Sequence, residues 1–313
     1  MNRNYFSRTI IYSLGFFMIW FCLAACNNEV KNPPDTFKSG TIYISVDESF
    51  RPVIEEQIKV YEKSFPGTHI IADYKTEADC FKDFYKDSAN RMIIVTRGLT
   101  AEEDEYFNSS LHYLPHWDNI ANDAITVIVN SKSSDTLFSI ERLKTQLSGL
   151  SNRDQTVVFD GLNATSTVRY AMDSILRGQK FDTSVVKAVK NSQAVINYVG
   201  ENTNAIGFVG ISWIGNPEDN AQANMLKKVK IAYVSCKICE DTPYVKPMQV
   251  SILTKRYPLV RGLYYILKEN YNGLGTGFVN FMKYERGQLI FKRAYLGASM
   301  GFGIRNVKLN EKL

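Results

Sequence analysis

The chain has 313 residues, 45% of them hydrophobic and 12% aromatic, with a formal charge of +5, five cysteines and three histidines. That composition is globular, with material for one large or two medium domains. The small positive charge is dispersed, and Arg3 and Arg8 carry part of it at the extreme N-terminus, so nothing marks a nucleic-acid partner.

Arg3 and Arg8 precede an apolar or small stretch from Thr9 to Leu23, with no acidic residue before Glu29. This is the order of a secretory leader. The stretch ends in Leu23-Ala24-Ala25-Cys26, which resembles the bacterial lipobox; residues 1–25 are expected to be removed and Cys26 to receive a lipid. A plain transmembrane anchor is the rival reading, for which the run is short, since a span needs about 20 apolar residues. No second such run follows, so a soluble domain is expected, lipid-anchored to a membrane of the cell envelope on its periplasmic side. Residues 26–39, polar and containing Pro33-Pro34, read as a tether.

From Gly40 the chain alternates strand-like and helix-like segments. Thr41 to Val46 is a strand, and Phe50, Val53, Ile54, Ile58, Tyr61 and Phe65 then recur at helical spacing. Thr68 to Tyr74 reads as a strand, Glu77 to Ser88 as a helix and Met92 to Thr96 as a buried strand. Thr100-Ala101-Glu102-Glu103 is a capping box that opens another helix. Beyond it come a strand at Ala124 to Asn130, a helix at Ile140 to Leu147, a strand at Thr156 to Phe159 and a helix from Ser166 to Arg177. A helix at Ser192 to Gly200, a strand at Asn204 to Val209, a strand-rich stretch at Val250 to Leu267 and helices in the last forty residues complete an α/β pattern.

Cys22 leaves with the leader and Cys26 is the lipid acceptor, which leaves Cys80, Cys236 and Cys239 in an oxidising compartment. The Cys236-Lys237-Ile238-Cys239 spacing fits a redox pair, half a zinc site or a local disulfide. A redox pair wants a helix N-terminus to lower its thiol pKa, whereas Lys230 to Val234 before it is strand-like, and there is no second such motif to complete a metal site. The local disulfide is therefore favoured, with Cys80 unpaired and buried. His69, His112 and His116 fall in no nucleophile or metal pattern, and Pro115 argues against a helix that could aim His112 and His116 at one metal. A binding protein without cofactor or metal is expected, not an enzyme.

Three segments share one arrangement, in which a strand ends, hydroxyl or basic residues follow and a helix begins: Asp47-Glu48-Ser49-Phe50, Val95-Thr96-Arg97-Gly98 and Asn163-Ala164-Thr165-Ser166-Thr167-Val168-Arg169. Helix N-termini carry unpaired N–H groups and a partial positive charge; hydroxyls and an arginine add further donors for an oxyanion. Each turn alone is explained by helix capping. Their recurrence at strand ends, where α/β sheets bind ligands, singles out Ser49, Phe50, Thr96, Arg97, Thr165, Ser166, Thr167 and Arg169 as candidate ligand contacts.

From Gly40 to about Leu296 the order of these motifs resembles the PstS-type phosphate-binding proteins, the solute receptors of phosphate ABC transporters. The Thr41 to Phe50 strand and turn resembles the family's opening strand with its Ser/Thr at the first helix, Thr96-Arg97 a Ser-Arg or Ser-Asp position, and Thr165-Ser166-Thr167 a Ser-Gly-Thr at a helix start. Asn204-Ala205-Ile206-Gly207-Phe208-Val209-Gly210 is similar to a run that usually reads Ala-Ile-Gly-Tyr-Val, and Tyr257 to Tyr264 to the strand that re-enters the first lobe. The resemblance implies a type II periplasmic binding protein, α/β, with two lobes joined by two crossover strands: residues 40–120 and 250–313 in lobe one, 121–249 in lobe two. It also implies capture of an oxyanion, phosphate foremost, in the cleft and its delivery to ABC permease subunits. The alternative is a non-transport lipoprotein that uses the fold as a sensor or as a subunit of a surface assembly.

The chain departs from the family at two points. Asp160-Gly161-Leu162 stands where an arginine often precedes Ser-Gly-Thr, and Arg97 stands near the place of a proton-accepting aspartate. Arg169, one turn into its helix, is the candidate replacement for the missing cation. A site built on Arg97 and Arg169 without a carboxylate is expected to favour the more negative form of phosphate.

Overall fold

In the computed structural model the described residues are 35–300, apart from 152–153, 162–164 and 241–242. The leader, Cys26, Asn163 and Ala164 thus lie outside them. The described residues from Asp35 onward form one compact unit.

The strands are β1 (Ser39–Asp47), β2 (Gly67–Lys75), β3 (Asn90–Val95), β4 (His116–Asn130), β5 (Leu137–Phe138), β6 (Thr156–Phe159), β7 (Val186–Ala188), β8 (Ala205–Gly210), β9 (Val229–Ile231), β10 (Tyr233–Ser235), β11 (Tyr244–Val245), β12 (Val260–Leu267) and β13 (Gly297–Ala298). The α-helices are α1 (Arg51–Ser64), α2 (Glu77–Lys86), α3 (Ala101–Leu111), α4 (Ile140–Leu147), α5 (Ser166–Tyr170), α6 (Ser192–Glu201), α7 (Asn220–Leu226), α8 (Gln249–Leu253), α9 (Leu274–Lys283) and α10 (Glu285–Arg293). One sheet runs in the order β2-β1-β3-β12-β4-β8-β6-β7, with β9 and β13 also on β4. β1 is parallel to β2 and β3, and β6 is parallel to β7 and β8. Between these parallel groups lie β12 and β4, antiparallel to each other and to their outer neighbours β3 and β8. Two long strands therefore join two parallel halves.

Period-two alternation builds β1: Ile42, Ile44 and Val46 fall on one face and are buried. α1 begins with Pro52 in its first turn, where a missing N–H costs nothing. It buries Val53, Ile54, Gln57 and Tyr61, and the Tyr61 ring packs edge-on against Phe278 of α9. On the opposite face Cys80, Phe81 and Phe84 of α2 meet Ile93 and Val95 of β3 and Phe107 of α3. α6 covers the second half through Val195, Ile196 and Val199, against Ile128, Val158 and Val209. Each fully buried side chain of this size contributes roughly 1.5–3 kcal/mol.

Capping sets where the site helices begin. Thr76 accepts from the Asp79 N–H at the start of α2, Thr100 and Glu103 form the reciprocal box at α3, and Thr165 accepts from the Val168 N–H at α5. The expected helix from Ser166 changes after Tyr170 into a π-helical turn over Ala171–Ile175. The expected strand at Val250 is a correction: α8 occupies Gln249–Leu253, with Val250 and Leu253 on its exposed side, and β12 starts only at Val260. β4 is longer than expected and starts at His116. Cys236 and Cys239 are joined by a disulfide across a turn after β10, with Cα atoms 5.5 Å apart, and Cys80 is a free, buried thiol.

Candidate functional site

The C-terminal ends of β1, β3 and β6 lead into the three turns singled out by sequence, and a buried arginine from β12 meets two of them. Arg261 is 5% exposed. Its Nη2 donates to Ser49 Oγ at 2.9 Å, its Nη1 to Ser166 Oγ at 2.8 Å and its Nε to Asp123 Oδ2 at 2.8 Å. Its guanidinium carbon lies 5.0 Å from the centroid of the buried Phe50 ring. The two hydroxyls are 3.4 Å apart although 117 residues separate them in sequence. Ser49, Phe50 and Ser166 thus gather on one cation.

Carboxylates surround that cation. Asp47 Oδ1 accepts from the Ser49 N–H at 2.9 Å and from its hydroxyl at 2.7 Å, while Asp47 Oδ2 is buried with no hydrogen-bond partner among the described residues. Burial pushes the Asp47 carboxyl up, and so does the nearby Glu77 charge, against the pull of Arg261 and of the Ser166 and Ser49 hydroxyls. Asp123 is raised by burial as well, with Arg261 opposing. Asp160 accepts from Thr165 Oγ1 at 2.9 Å and from Thr167 Oγ1 at 3.3 Å. Burial, then the charge of Asp47, push its carboxyl up to about 7.

Thr96 and Arg169 form a second knot with Glu77, the first residue of α2. Arg169 Nε donates to Glu77 Oε2 at 2.7 Å and its Nη2 to Thr96 Oγ1 at 2.6 Å. The Thr96 N–H donates to Glu77 Oε1 at 2.9 Å. The structure does not bring Arg97 into this network: its two Nη atoms donate to Glu103 at 2.7 and 3.0 Å, and its guanidinium lies 3.8 Å over the Phe81 ring.

Two expectations need correction. The central cation is Arg261, since Arg169 is held by Glu77. The site is also not short of carboxylates, because Asp47, Glu77, Asp123 and Asp160 are all buried around it. The signal for Arg261 was its phase: it falls on the same face of β12 as the buried Leu263 and Tyr265. Beside the network opens a cavity of about 170 Å³ whose walls include Asp47, Glu48, Tyr74, Lys75, Asp160 and Lys190. That is room for a small ion and a few waters, at about 30 Å³ per water.

The fold is shared with several solved structures. One is described as a phosphate ABC transporter substrate-binding protein from Clostridium perfringens, solved with bound phosphate: TM-score 0.67 and 19% identity, over 83% of this chain and 100% of that one. An ABC-type phosphate transport receptor from Vibrio cholerae superposes with TM-score 0.58 at 17% identity, over 82% and 98% of the two chains. PstS from Borrelia burgdorferi does so with TM-score 0.52 at 19% identity, over 83% and 99%. No curated protein matches the sequence. The sequence itself matches the PBP superfamily domain over residues 31–285. The chain therefore belongs to the periplasmic-binding-protein superfamily, in the two-lobed, PstS-like type II form of its fold.

Proposed function

We propose that the protein is a lipid-anchored solute receptor that takes a small oxyanion, inorganic phosphate, into the cleft beside Arg261 and delivers it to an ABC permease. The lobes on either side of that cleft are residues 40–120 with 250–313, and residues 121–249. The observation that carries the reading is the buried Arg261 guanidinium tying Ser49 to Ser166, hydroxyls that follow β1 in one half of the sheet and β6 in the other. A charge sealed from water in that way recruits anionic or hydroxyl partners strongly, and two donor-bearing turns meet at it. The phosphate named for the fold neighbours from Clostridium perfringens and Vibrio cholerae points to the same ligand class.

The surrounding carboxylates refine which form is taken. A dianion beside Asp47 and Asp160 meets like charges in a low-dielectric setting, whereas a ligand O–H satisfies Asp47 Oδ2. The receptor therefore selects the protonated, monobasic ion. Calorimetry on the purified protein with phosphate, sulfate and molybdate tests this. Micromolar or tighter binding of phosphate supports the reading, and no heat with any of the three sinks it. Lipid attachment is tested separately by Cys26→Ser, which is expected to accumulate as unprocessed precursor.

A further inference from the structure

Glu77 sits at the start of α2, and a first-turn glutamate ordinarily points to solvent, where it complements the helix dipole. This one is 4% exposed. Its carboxylate is held by the Thr96 N–H, the Thr96 hydroxyl, and Nε and Nη2 of Arg169. A strand-end backbone N–H, a hydroxyl and a two-pronged guanidinium are the donors a free oxyanion would require. Burial opposes ionisation of Glu77, yet the Arg169 and Thr96 contacts outweigh it and hold the carboxyl below its ordinary range.

The partners come from opposite halves of the sheet. Glu77 and Thr96 flank β3 in the half containing β1, while Arg169 rides on α5 after β6, 92 residues from Glu77. A second carboxylate repeats the pattern: Glu48 Oε2, beside β1, accepts from the Ser192 hydroxyl at 2.8 Å and from the Ser192 N–H at 3.3 Å, at the start of α6 in the other half. In both places a carboxylate of the chain bridges the two halves through contacts of the kind an anionic solute makes.

We propose that Glu77 is an affinity-setting residue: a tethered anion that occupies the Thr96 and Arg169 donors in competition with a free oxyanion. It rests on the oxyanion reading of the cleft, and adds that the receptor carries its own competitor for part of the site. Intramolecular placement gives the tethered carboxylate a high effective concentration, so a free anion gains these donors only when Glu77 yields them.

The test compares full-length wild type with Glu77→Gln and Glu77→Asp. The first removes the charge at constant shape; the second keeps the charge but withdraws it by one methylene. Circular dichroism melts establish which variants fold. Phosphate and sulfate affinities are then measured by calorimetry, and the solute-free radius of gyration by small-angle scattering. Glu77→Gln is expected to bind phosphate on the order of ten- to a hundredfold more tightly than wild type, the range of one or two charge-assisted contacts, with Glu77→Asp in between. Unchanged or weaker binding in every folded variant overturns the proposal, because a purely structural Glu77 would leave Arg169 disordered and binding impaired. If wild type and variants all ignore both anions, the phosphate reading fails on its own. The scattering then decides the tethered-anion proposal: a more expanded solute-free state in the variants supports it, and an unchanged one overturns it.

Discussion

Arg261 and Asp123 are direct cross-strand partners on β12 and β4, with Nε 2.8 Å from Oδ2 and both side chains sealed from solvent. Removing one member of such a pair leaves an uncompensated buried charge, which costs about 3–5 kcal/mol. Arg261→Met is expected to destabilise by that amount in urea unfolding and to abolish anion binding, because Ser49 and Ser166 lose their common donor. Asp123→Asn should retain the fold better, since an amide oxygen can still accept from Nε.

Asp160 makes stability depend on pH. Its carboxyl stands at about 7 when folded, against about 3.9 in an unfolded chain, so the folded protein binds the extra proton. The associated stability is fully present below about pH 4 and is lost as pH rises toward 7, at most about 4 kcal/mol. Burial raises Asp47, Asp123 and Glu48 in the same direction, while Glu77 is lowered and acts oppositely. Asp160→Asn should therefore melt higher than wild type above pH 7 and lose the advantage in acid. Melting curves for both proteins across that range check it.

The same groups set the sign for ligand uptake. Protonating Asp160 removes negative charge from the cleft, and the monobasic ion, whose O–H Asp47 would accept, prevails in the same acid range. Phosphate affinity is expected to fall as pH rises through about 7, opposite to what a site built only on arginines would give. Calorimetry at several pH values reads the slope, and an affinity that climbs with pH would exclude Asp47 and Asp160 from the site.

Arg97→Ala should leave phosphate affinity unchanged, because its donors go to Glu103 and the carbonyl of Gly98. The cost is local. Glu103 also accepts from the Thr100 N–H in the capping box, so losing its partner should loosen the start of α3 by about 1 kcal/mol, visible as faster amide exchange there.

Cys236→Ser is expected to lower the melting temperature by a few degrees without altering ligand preference. The closed loop spans three residues in sequence, and short loops gain little from cross-linking. The free thiol it leaves should be detected with a thiol reagent under native conditions at Cys239, while Cys80, fully buried and with its thiol raised well above the ordinary range by burial, should react only after unfolding.

Much of the site was legible because it is built from turns at strand ends. Ser49, Ser166 and Thr165 announced themselves through hydroxyls that open helices, and Thr156 to Phe159 through an unbroken β-rich run. Arg261 was harder, because arginine in a strand ordinarily means an exposed face; only its phase with Leu263 and Tyr265 marks it as inward. Glu77 was read simply as the beginning of a helix, since its partner lies far off in sequence. Adjacency misled at Arg97: it and Thr96 lie in the turn after β3, where Thr96 meets Glu77 and Arg169 while Arg97 is drawn to Glu103 and the Phe81 ring. The first half of β4, His116 to Asp123, is polar enough to hide as a loop, and its strand conformation comes from pairing with β12.

β4 runs for 15 residues, pairing with β12 along its first part, with one register shift opposite Leu263 and Tyr264, and with β8 and β9 along its second. The changeover falls at Asp123 to Ile125, beside Arg261. The seam between the two halves of the sheet thus lies at the guanidinium that collects Ser49 and Ser166. Any bending of one half against the other would strain that guanidinium's contacts directly, with no relay of intervening side chains.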